Sequence, residues 1–546
     1  PKLEGITVAA DAVWIGSNGV VTVNVPNATG NVTIKVNNKE YSVELDENGT
    51  ATKEIPAEDL VAGENNVTAT YENEAYSPVS NDTVLTVLDG VVTQDTYELY
   101  FNQDDNGKLF DYVPEGATLD FQGRIINPDQ AKTVQMNVNK PVNIVSTTED
   151  AYVDLNTTAG SLLGESPGNS FAVTNGGSGS NVTGIYFHNT QLWISNTHDV
   201  VLDNISVVVE DQRVGSGVGA TTIRDNSSNV VLKNSYLYTR NNGGSTTFTM
   251  SWATNCTIDN CTVKAEGNVG NLVYLNIFNI AGAPTGVPLN NYNKVINNRI
   301  YGKEGSGISV GLMIEGQYNW IENNTLYKSS ISTSFGGQNP FNNTYVGNTM
   351  TEGGSLTAQV GSIVYNNNVT GTLSTGKQST TYKNTVGKMT VGESAVAYDN
   401  TVGATVSVSG KNAVVENNTI AGAVTIVKAA TNTTFVGNNV SATVTVNSND
   451  NVIKENNIIT TGNYAVDLKS TTGNNVTDNL LIASALKGDA AVSSASETNI
   501  VENNRPVPAS LVVVADNITV GETAVINVTV DSDAEGTVSL IVNGKV

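Results

Sequence analysis

The sequence predicts an all-β chain built mainly as a right-handed parallel β-helix, joined to a β-sandwich at its N-terminal end and to the start of a second one at its C-terminal end. Three observations carry that reading. A six-residue pattern centred on asparagine recurs between positions 204 and 503, and residues 6–86 form short runs of alternating apolar and polar positions. Asn, Thr, Val, Gly and Ser dominate the composition, while Leu, Glu, Lys and Ala at helical spacing are almost absent, so little α-helix is expected.

The N-terminal runs include Val21-Thr-Val-Asn-Val25, Val32-Thr-Ile-Lys-Val36, Tyr41-Ser-Val-Glu-Leu45 and Asn66-Val-Thr-Ala-Thr70. Turn signals such as Asn37-Asn38, Asp46-Glu-Asn-Gly49 and Ala62-Gly63-Glu64 separate them. About seven short strands in such a length is the pattern of an immunoglobulin-like sandwich, assigned to residues 1–89. The C-terminus repeats its beginning. Leu511-Val-Val-Val-Ala-Asp516 matches Ile6-Thr-Val-Ala-Ala-Asp11, and Gly536-Thr-Val-Ser-Leu-Ile-Val-Asn-Gly-Lys545 matches Asn31-Val-Thr-Ile-Lys-Val-Asn-Asn-Lys39. Residues 506–546 therefore read as a truncated second sandwich. Its inner face would be open, so the natural chain is expected to continue past Val546.

Between the two lies the repeated pattern: apolar, any, usually polar, Asn, any, apolar. It reads Val231-Leu-Lys-Asn234-Ser-Tyr236, Val295-Ile-Asn-Asn298-Arg-Ile300, Ile321-Glu-Asn-Asn324-Thr-Leu326 and Tyr345-Val-Gly-Asn348-Thr-Met350. Further copies centre on Asn204, Asn367, Asn384, Asn400, Asn418, Asn438, Asn456, Asn479 and Asn503, with Cys261 taking the asparagine slot once. From Asn298 onward the copies are 16–26 residues apart. Such a repeat, with period-two alternation inside it, reads as one coil of a parallel solenoid. Coils stacked about 4.8 Å apart would bury a column of Val, Ile and Leu that no coil could bury alone. The asparagine is expected to take the left-handed turn between strands and to hydrogen-bond from coil to coil. The β-helix is assigned to residues 90–505, with an opening coil at about 95–125 and ladder coils at about 185–504. The L-x-x-L-x-L frame of leucine-rich repeats and the Trp-Asp and Gly-His marks of propellers are missing.

Two intervals are long. Asn204 to Asn234 contains residues 210–219, and Cys261 to Asn298 contains residues 281–288; both are expected as protruding loops. The second could also hold a degenerate coil at Leu272-Val-Tyr-Leu-Asn-Ile277. The short, plain coils from about Asn367 to Asn456 suit a stalk.

With 27 basic and 52 acidic residues the formal net charge is −25. That excludes the basic stripe a nucleic-acid partner needs and argues against docking on anionic lipid. No transmembrane run or signal peptide is visible, so any targeting or anchoring segment would lie outside this piece. Cys256 and Cys261 fit no metal spacing; a local disulfide and two buried free thiols both fit. No cofactor or metal motif is found. Asp531-Ser-Asp-Ala-Glu-Gly536 imitates the start of a calcium loop but lacks the later glutamate.

Candidate chemistry gathers between 186 and 252. Glu210, Asp211, Arg213, Arg224, Asp225 and Arg240 fall in neighbouring coils of a chain with only 14% charged residues. A solvated ion-pair network accounts for them, and a lyase-like site is the sharper alternative. Tyr186, Trp193, Tyr236, Tyr238, Phe248 and Trp252 lie in the same stretch, with Phe248, Met250 and Trp252 on one face by period two. Exposed beside arginine, such rings would stack on sugars or a partner protein; buried, they would fill a wide coil. The candidate binding residues are Trp193, Arg213, Arg224, Tyr238, Arg240 and Trp252. The paired carboxylates of glycoside hydrolysis have no clear counterpart. Among 20 N-x-Ser/Thr acceptors, the outward candidates for glycosylation are Asn27, Asn31, Asn48, Asn66, Asn81, Asn156, Asn181, Asn226, Asn255, Asn432, Asn439, Asn475, Asn517 and Asn527.

The chain resembles the adhesin-like surface proteins of methanogenic archaea, which combine pectate-lyase-like β-helices with arrays of immunoglobulin-like domains. The Asn-Asn coil motifs carry one half of the resemblance. Asp516-Asn-Ile-Thr-Val-Gly-Glu-Thr-Ala-Val-Ile-Asn-Val-Thr529 and its N-terminal counterpart carry the other. The resemblance implies cell-surface display and attachment to other cells, surface glycans or surface proteins, with flanking immunoglobulin-like domains of the same chain as neighbours. It carries over no catalytic residue. A polysaccharide lyase, hydrolase or epimerase is the alternative function, and a trimeric viral spike the second alternative.

Overall fold

The computed structural model describes residues 3, 5–157, 168–210, 219–240, 246–276, 290–333, 342–505, 511–530 and 537–542, and falls into two compact units, 1–356 and 357–546. The first unit opens with two packed sheets, antiparallel except that Val13–Trp14 pairs in parallel with Tyr76–Leu88. One is formed by Thr7–Ala10, Gly19–Asn24 and Thr50–Ile55. The other runs in the spatial order Val13–Trp14, Tyr76–Leu88, Gly63–Asn73, Gly30–Val36, Lys39–Leu45. Alternation decides what they bury: Val21 and Val23 from one sheet meet Val32, Ile34, Val67, Tyr71 and Leu85 from the other. The sandwich is tied to the first coil by the Trp14 ring, which meets the edge of Tyr100 at 6.4 Å, and by the Gly90 N–H, which donates to Tyr100 Oη at 3.0 Å.

From Val91–Val92 the chain coils. Each turn contributes up to three short strands, one to each of three faces, and after the antiparallel pair Phe101–Asn102 with Lys108–Leu109 in the opening turn the strands pair in parallel with their counterparts in the next turn. One turn runs Val201–Asp203, Ser206–Glu210, Gly219–Arg224, and the next runs Val231–Lys233, Tyr236–Arg240, Thr246–Ser251. On the first face every middle residue points in, giving the buried column Leu202, Leu232, Ile258, Val295 and Ile321. Val207, Leu237 and Val263 do the same on the second face, and Ile194, Ile223 and Met250 on the third. Coils also occupy the described residues between 124 and 183, where no asparagine motif marks them. Arg124–Ile126, Met136–Val138, Asn143–Val145, Tyr152–Asp154 and Ser170–Val173 belong to the same three faces. The degenerate coil is real: Val273–Asn276 pairs with Thr246–Ser251 on one side and Ser309–Ile314 on the other. The two long intervals expected as loops fall largely on residues 211–218 and 277–289, outside the described residues.

The second unit repeats the design with shorter strands. Val396–Tyr398, Thr401–Val402 and Val406–Val408 stack on Val414–Glu416, Thr419–Ile420 and Val424–Ile426. Residues 511–530 form an antiparallel pair, Leu511–Ala515 with Ile526–Val530, and Leu511 to Val514 are open to solvent.

The asparagine corner differs from the expected one in an instructive way. The left-handed turn and the coil-to-coil hydrogen bond fall to two successive residues, not to one. Asn297, Asn323, Asn366, Lys383, Asp399 and Asn417 have φ between 52° and 58°; the next residue in each case, Asn298 through Asn418, is buried. Around Asn418 the pattern is complete. Its Oδ1 accepts from both the backbone N–H and the Nδ2 of Asn400 at 2.9 Å. Its own N–H and Nδ2 donate to Asn438 Oδ1 at 2.9 and 3.0 Å, and Nδ2 also reaches the Ala397 carbonyl at 2.9 Å. The same bonds run from Asn298 to Asn348 in the first unit and from Asn367 to Asn504 in the second. At the last rung Asp489 substitutes for a further asparagine: its Oδ1 accepts from Asn504 N–H at 3.0 Å and Nδ2 at 2.7 Å.

Three assigned rungs are therefore one residue off. Asn503, Asn204 and Asn234 are exposed, with φ of 61°, 51° and 53°, and the inward slots belong to Asn504, Ile205 and Ser235. In each case the neighbouring asparagine satisfies the pattern one position early, and a one-residue shift moves a side chain from inside to outside. The assignment of Cys261 to an inward slot is correct.

A second ladder lies five residues before the first, at the other end of the first-face strand. Asn293, Asn319 and Asn343 form it in the first unit, and Asn451, Asn474 and Asn499 in the second, again by Oδ1 accepting the preceding coil's N–H at 2.9–3.0 Å. In these coils the three-residue strand is thus bracketed by two inward amides.

Replacing Asn418 by Ala should leave the buried N–H of Asn400 without its acceptor and lower stability on the order of 3 kcal/mol. Asn417→Gly, one residue away at the left-handed position, should change it by less than about 0.5 kcal/mol. Equal losses in chemical denaturation would contradict this division of labour.

Candidate functional site

The residues singled out from the sequence separate onto two faces of the first unit. On the third face the outward column reads Trp193, Thr222, Thr249, Tyr274, Met313, and every member is buried. Arg224 lies beside this column with its guanidinium 4.7 Å from the Trp193 ring centroid and 5.5 Å from that of Trp252. Its Nε is 2.7 Å from Asp225 Oδ2 as an ion pair without the alignment of a hydrogen bond, and Ser195 Oγ donates to the same carboxylate oxygen at 2.7 Å. Two rings and a carboxylate replace the water that a buried guanidinium loses. Trp193, Arg224 and Trp252 thus form a packed cluster, not an exposed patch. Trp252 also leaves the alternation: Phe248 and Met250 point into the coil, while Trp252 follows the strand with φ 53° and turns back over Arg224. Near it, burial pushes the Tyr274 hydroxyl upward in pKa, reinforced by its hydrogen bond to the fully buried Glu315.

Arg240 and Tyr238 belong to the second face. Glu210, Arg240 and Glu266 are register partners in three successive coils, with Arg240 Nη2 3.0 Å from Glu210 Oε2. Tyr238 Oη donates to Glu266 Oε2 at 2.7 Å; burial first, and then this carboxylate, push its pKa up to about 12. Glu210 and Arg240 therefore do not converge with Arg224 and Asp225, as a single lyase-like site would need. Arg213 and Asp211 lie outside the described residues, as does the whole calcium-loop-like stretch 531–536.

The second face carries the larger outward constellation. One column runs Arg124, Tyr152, Tyr186, Ser206, Tyr236, Thr262, and the adjacent one Asp154, His188, Val208, Tyr238, Lys264, Tyr301, Tyr327. Arg124 sits 3.9 Å above the Tyr152 ring, Tyr152 packs edge-on against Tyr186 at 5.2 Å, Lys264 is 4.9 Å from Tyr301, and Tyr301 stacks on Tyr327 at 4.5 Å. His188 Nδ1 is 2.8 Å from Asp154 Oδ2. These residues are half-buried or exposed, so edges and hydroxyls reach solvent.

A third feature escapes the sequence reading. Tyr292 and Tyr318 occupy the left-handed position before the second ladder, where other coils place residues such as Asn229, Asn255 and Asn342. Their φ values are 61° and 56°, a conformation that strains a bulky side chain by about 1–3 kcal/mol. The signal is nonetheless present: Tyr-Asn-Lys and Tyr-Asn-Trp stand where neighbouring coils have Asn-Cys-Thr and Asn-Asn-Thr.

Cys256 and Cys261 are free and buried. They fill inward slots of the two ladders, where their N–H groups donate to Asn293 and Asn298 at 2.9 Å, so the disulfide is not formed. Of the glycosylation candidates, Asn27, Asn31, Asn48, Asn66, Asn81, Asn226, Asn255, Asn432, Asn439, Asn517 and Asn527 are exposed, and Asn156, Asn181 and Asn475 are half-buried. Among the described residues no three His, Cys, Asp or Glu side chains are grouped to hold a metal ion.

No protein-family model and no curated protein matches the chain. Among solved structures, the catalytic unit of a thermostable GH87 α-1,3-glucanase from Streptomyces thermodiastaticus is similar at 12% identity and a TM-score of 0.23, over 92% of this chain and 99% of that one. The tailspike gp49 of Pseudomonas phage LKA1 is similar at 13% identity and a TM-score of 0.18, over 94% and 68%. Similarity this low assigns neither fold nor function.

Burial pushes both thiols up to about 12. Above about pH 9 the unfolded chain then binds fewer protons than the folded one, so this contribution to stability is intact below pH 9 and is lost as pH rises toward 12. Thiol labelling of the native protein at pH 8 should be negligible, and both cysteines should label in denaturant. Rapid native labelling, or an intact mass lacking two hydrogens, would contradict the free buried state.

Proposed function

We propose that the protein is an extracellular, adhesin-like binding protein displayed at the cell surface, which attaches to cells or surface glycans through the second face of its coils. The observation that carries this is the double outward column from Arg124 to Tyr236 and from Asp154 to Tyr327. Tyrosine edges, hydroxyls and both signs of charge recur there along a parallel sheet, interrupted at the coil of Ser206 and Val208. Amphipathic rings held by their neighbours lose little entropy on binding. The strand order of the N-terminal sandwich supports its immunoglobulin-like reading, and that pairing with coils supports the resemblance to archaeal surface proteins. The acidic surface favours solubility and limits binding to polyanions.

A polysaccharide-active enzyme is the second reading. On its side stand buried ionisable side chains of the third face, Arg224 and, bonded to each other, Tyr274 and Glu315, held where water is excluded. Because Arg224 is packed between rings, loss of activity in Arg224→Ala would report folding as much as chemistry. Glu315→Gln is the cleaner variant.

Binding to whole cells and to immobilised surface polysaccharide should fall about tenfold or more in Tyr186→Ala/Tyr236→Ala, with no release of reducing ends. Release of sugar fragments that is abolished by Glu315→Gln would replace the binding reading with the enzymatic one.

A further inference from the structure

Tyr292 and Tyr318 are 56% and 45% exposed, and their rings stack at 5.3 Å with planes 9° apart. Beside them Trp320 is 37% exposed, and its Nε1 donates to Glu322 Oε2 at 2.7 Å, which fixes the indole. The three rings border a groove of about 500 Å³ completed by Asn255, Lys294, Ile296 and Glu322. Lys294 is the register partner of Trp320, is exposed, and has no ion pair among the described residues.

This arrangement has no account in the stability of the fold. Asparagine or glycine would sit in the same left-handed corner without strain, and the rings fill no part of the core. Three large rings are instead held in water, two of them in a backbone conformation that disfavours them. Stacking covers one face of Tyr292. The other faces the coil of Asn255, whose shorter side chain leaves room above it. A flat open ring, a fixed indole bordering the same groove, one cationic donor and one carboxylate acceptor match the C–H face and hydroxyl rim of a sugar ring.

We infer that Tyr292, Tyr318 and Trp320 form a glycan-binding subsite, in which a pyranose stacks on the aromatic shelf, Lys294 donates to its hydroxyls or to a ring carboxylate, and Glu322 accepts from its hydroxyls. The subsite lies on the first face, apart from the tyrosine columns of the second, so it stands without them.

The test uses the full chain and a panel of soluble hexasaccharides: neutral glucans, xylans and mannans in one arm and oligouronates in the other. Binding is followed by calorimetry and by tryptophan fluorescence. At least one glycan should bind, and Tyr292→Asn/Tyr318→Asn should weaken it about tenfold or more. That variant should melt no lower than the parent, because asparagine suits the corner, so weakened binding cannot be ascribed to unfolding. Trp320→Ala should remove the fluorescence response. Loss of oligouronate binding alone in Lys294→Ala assigns Lys294 to a carboxylate; loss of neutral binding assigns it to hydroxyls. Tyr186→Ala/Tyr236→Ala should leave this binding intact even where it abolishes attachment to cells. No binding across the panel, binding unchanged in the double asparagine variant, or a concentration-dependent dimer that the variant abolishes would each overturn the proposal.

Discussion

The structure depends on one amide placed at a corner. A coil of a parallel β-helix must turn sharply between two short strands, and every turn leaves backbone N–H groups facing inward where water cannot enter. The buried asparagine answers with one oxygen that accepts twice from the preceding coil and one nitrogen that donates to the next coil and to backbone carbonyls. Turn formation and coil stacking are therefore the same set of hydrogen bonds. No rung is satisfied alone, since each supplies the partner that its neighbour lacks, which makes the last rung a special problem. Asp489 resolves it with a carboxylate where a further coil would have offered an amide.

This corner also explains what can be read from the sequence. The fold class follows from period-two strands between regularly spaced asparagines, because both the inward column and the corner amide restrict residue type. The register is harder, since the left-handed position also favours asparagine. Wherever Asn-Ser, Asn-Ile or Asn-Asn occurs, two adjacent positions satisfy one pattern. Pattern alone puts Asn204, Asn234 and Asn503 inside on that account, yet the amide ladder belongs to their successors. The second ladder escapes notice because its slot accepts Val200, Val230, Ser362, Ser379, Ala395, Ala413 and Thr433 as well as asparagine, and the repeat dissolves in that variety.

The candidate site is less legible because alternation separates two sides of a strand but does not say which sides meet water. On the second face the outward side is open, and Tyr238 and Arg240 lie where the pattern puts them. On the third face the outward column from Trp193 to Met313 is buried as well as the inward one, so Trp193 and Arg224 are interior groups despite their outward direction. No period reports that difference, which is a property of tertiary cover. The tyrosine corners are hidden for another reason: a left-handed tyrosine is improbable, and a reading from propensity passes over what propensity disfavours.

The division between inward and outward positions has a consequence for how such a scaffold can carry recognition. Stability resides in the aliphatic columns and the two amide ladders, all of them inside. Left-handed corner residues and the solvent-facing outward residues of the first and second faces contribute little to it, so they can change with small loss of fold, unlike buried outward residues of the third face such as Trp193 and Arg224. Each outward position is repeated about 4.8 Å away in the next coil, so a favourable side chain placed in successive turns becomes a row. Tyr152 beside Tyr186 and Tyr301 beside Tyr327 are such rows on the second face, and Tyr292 beside Tyr318 is one at the first-face corner. Rings in a row present a surface that is rigid before any ligand arrives, because the coils beneath fix their spacing. Recognition built this way draws on the same translational repeat that closes the hydrogen bonds of the core, while the residues that bind and the residues that hold the fold remain separate sets.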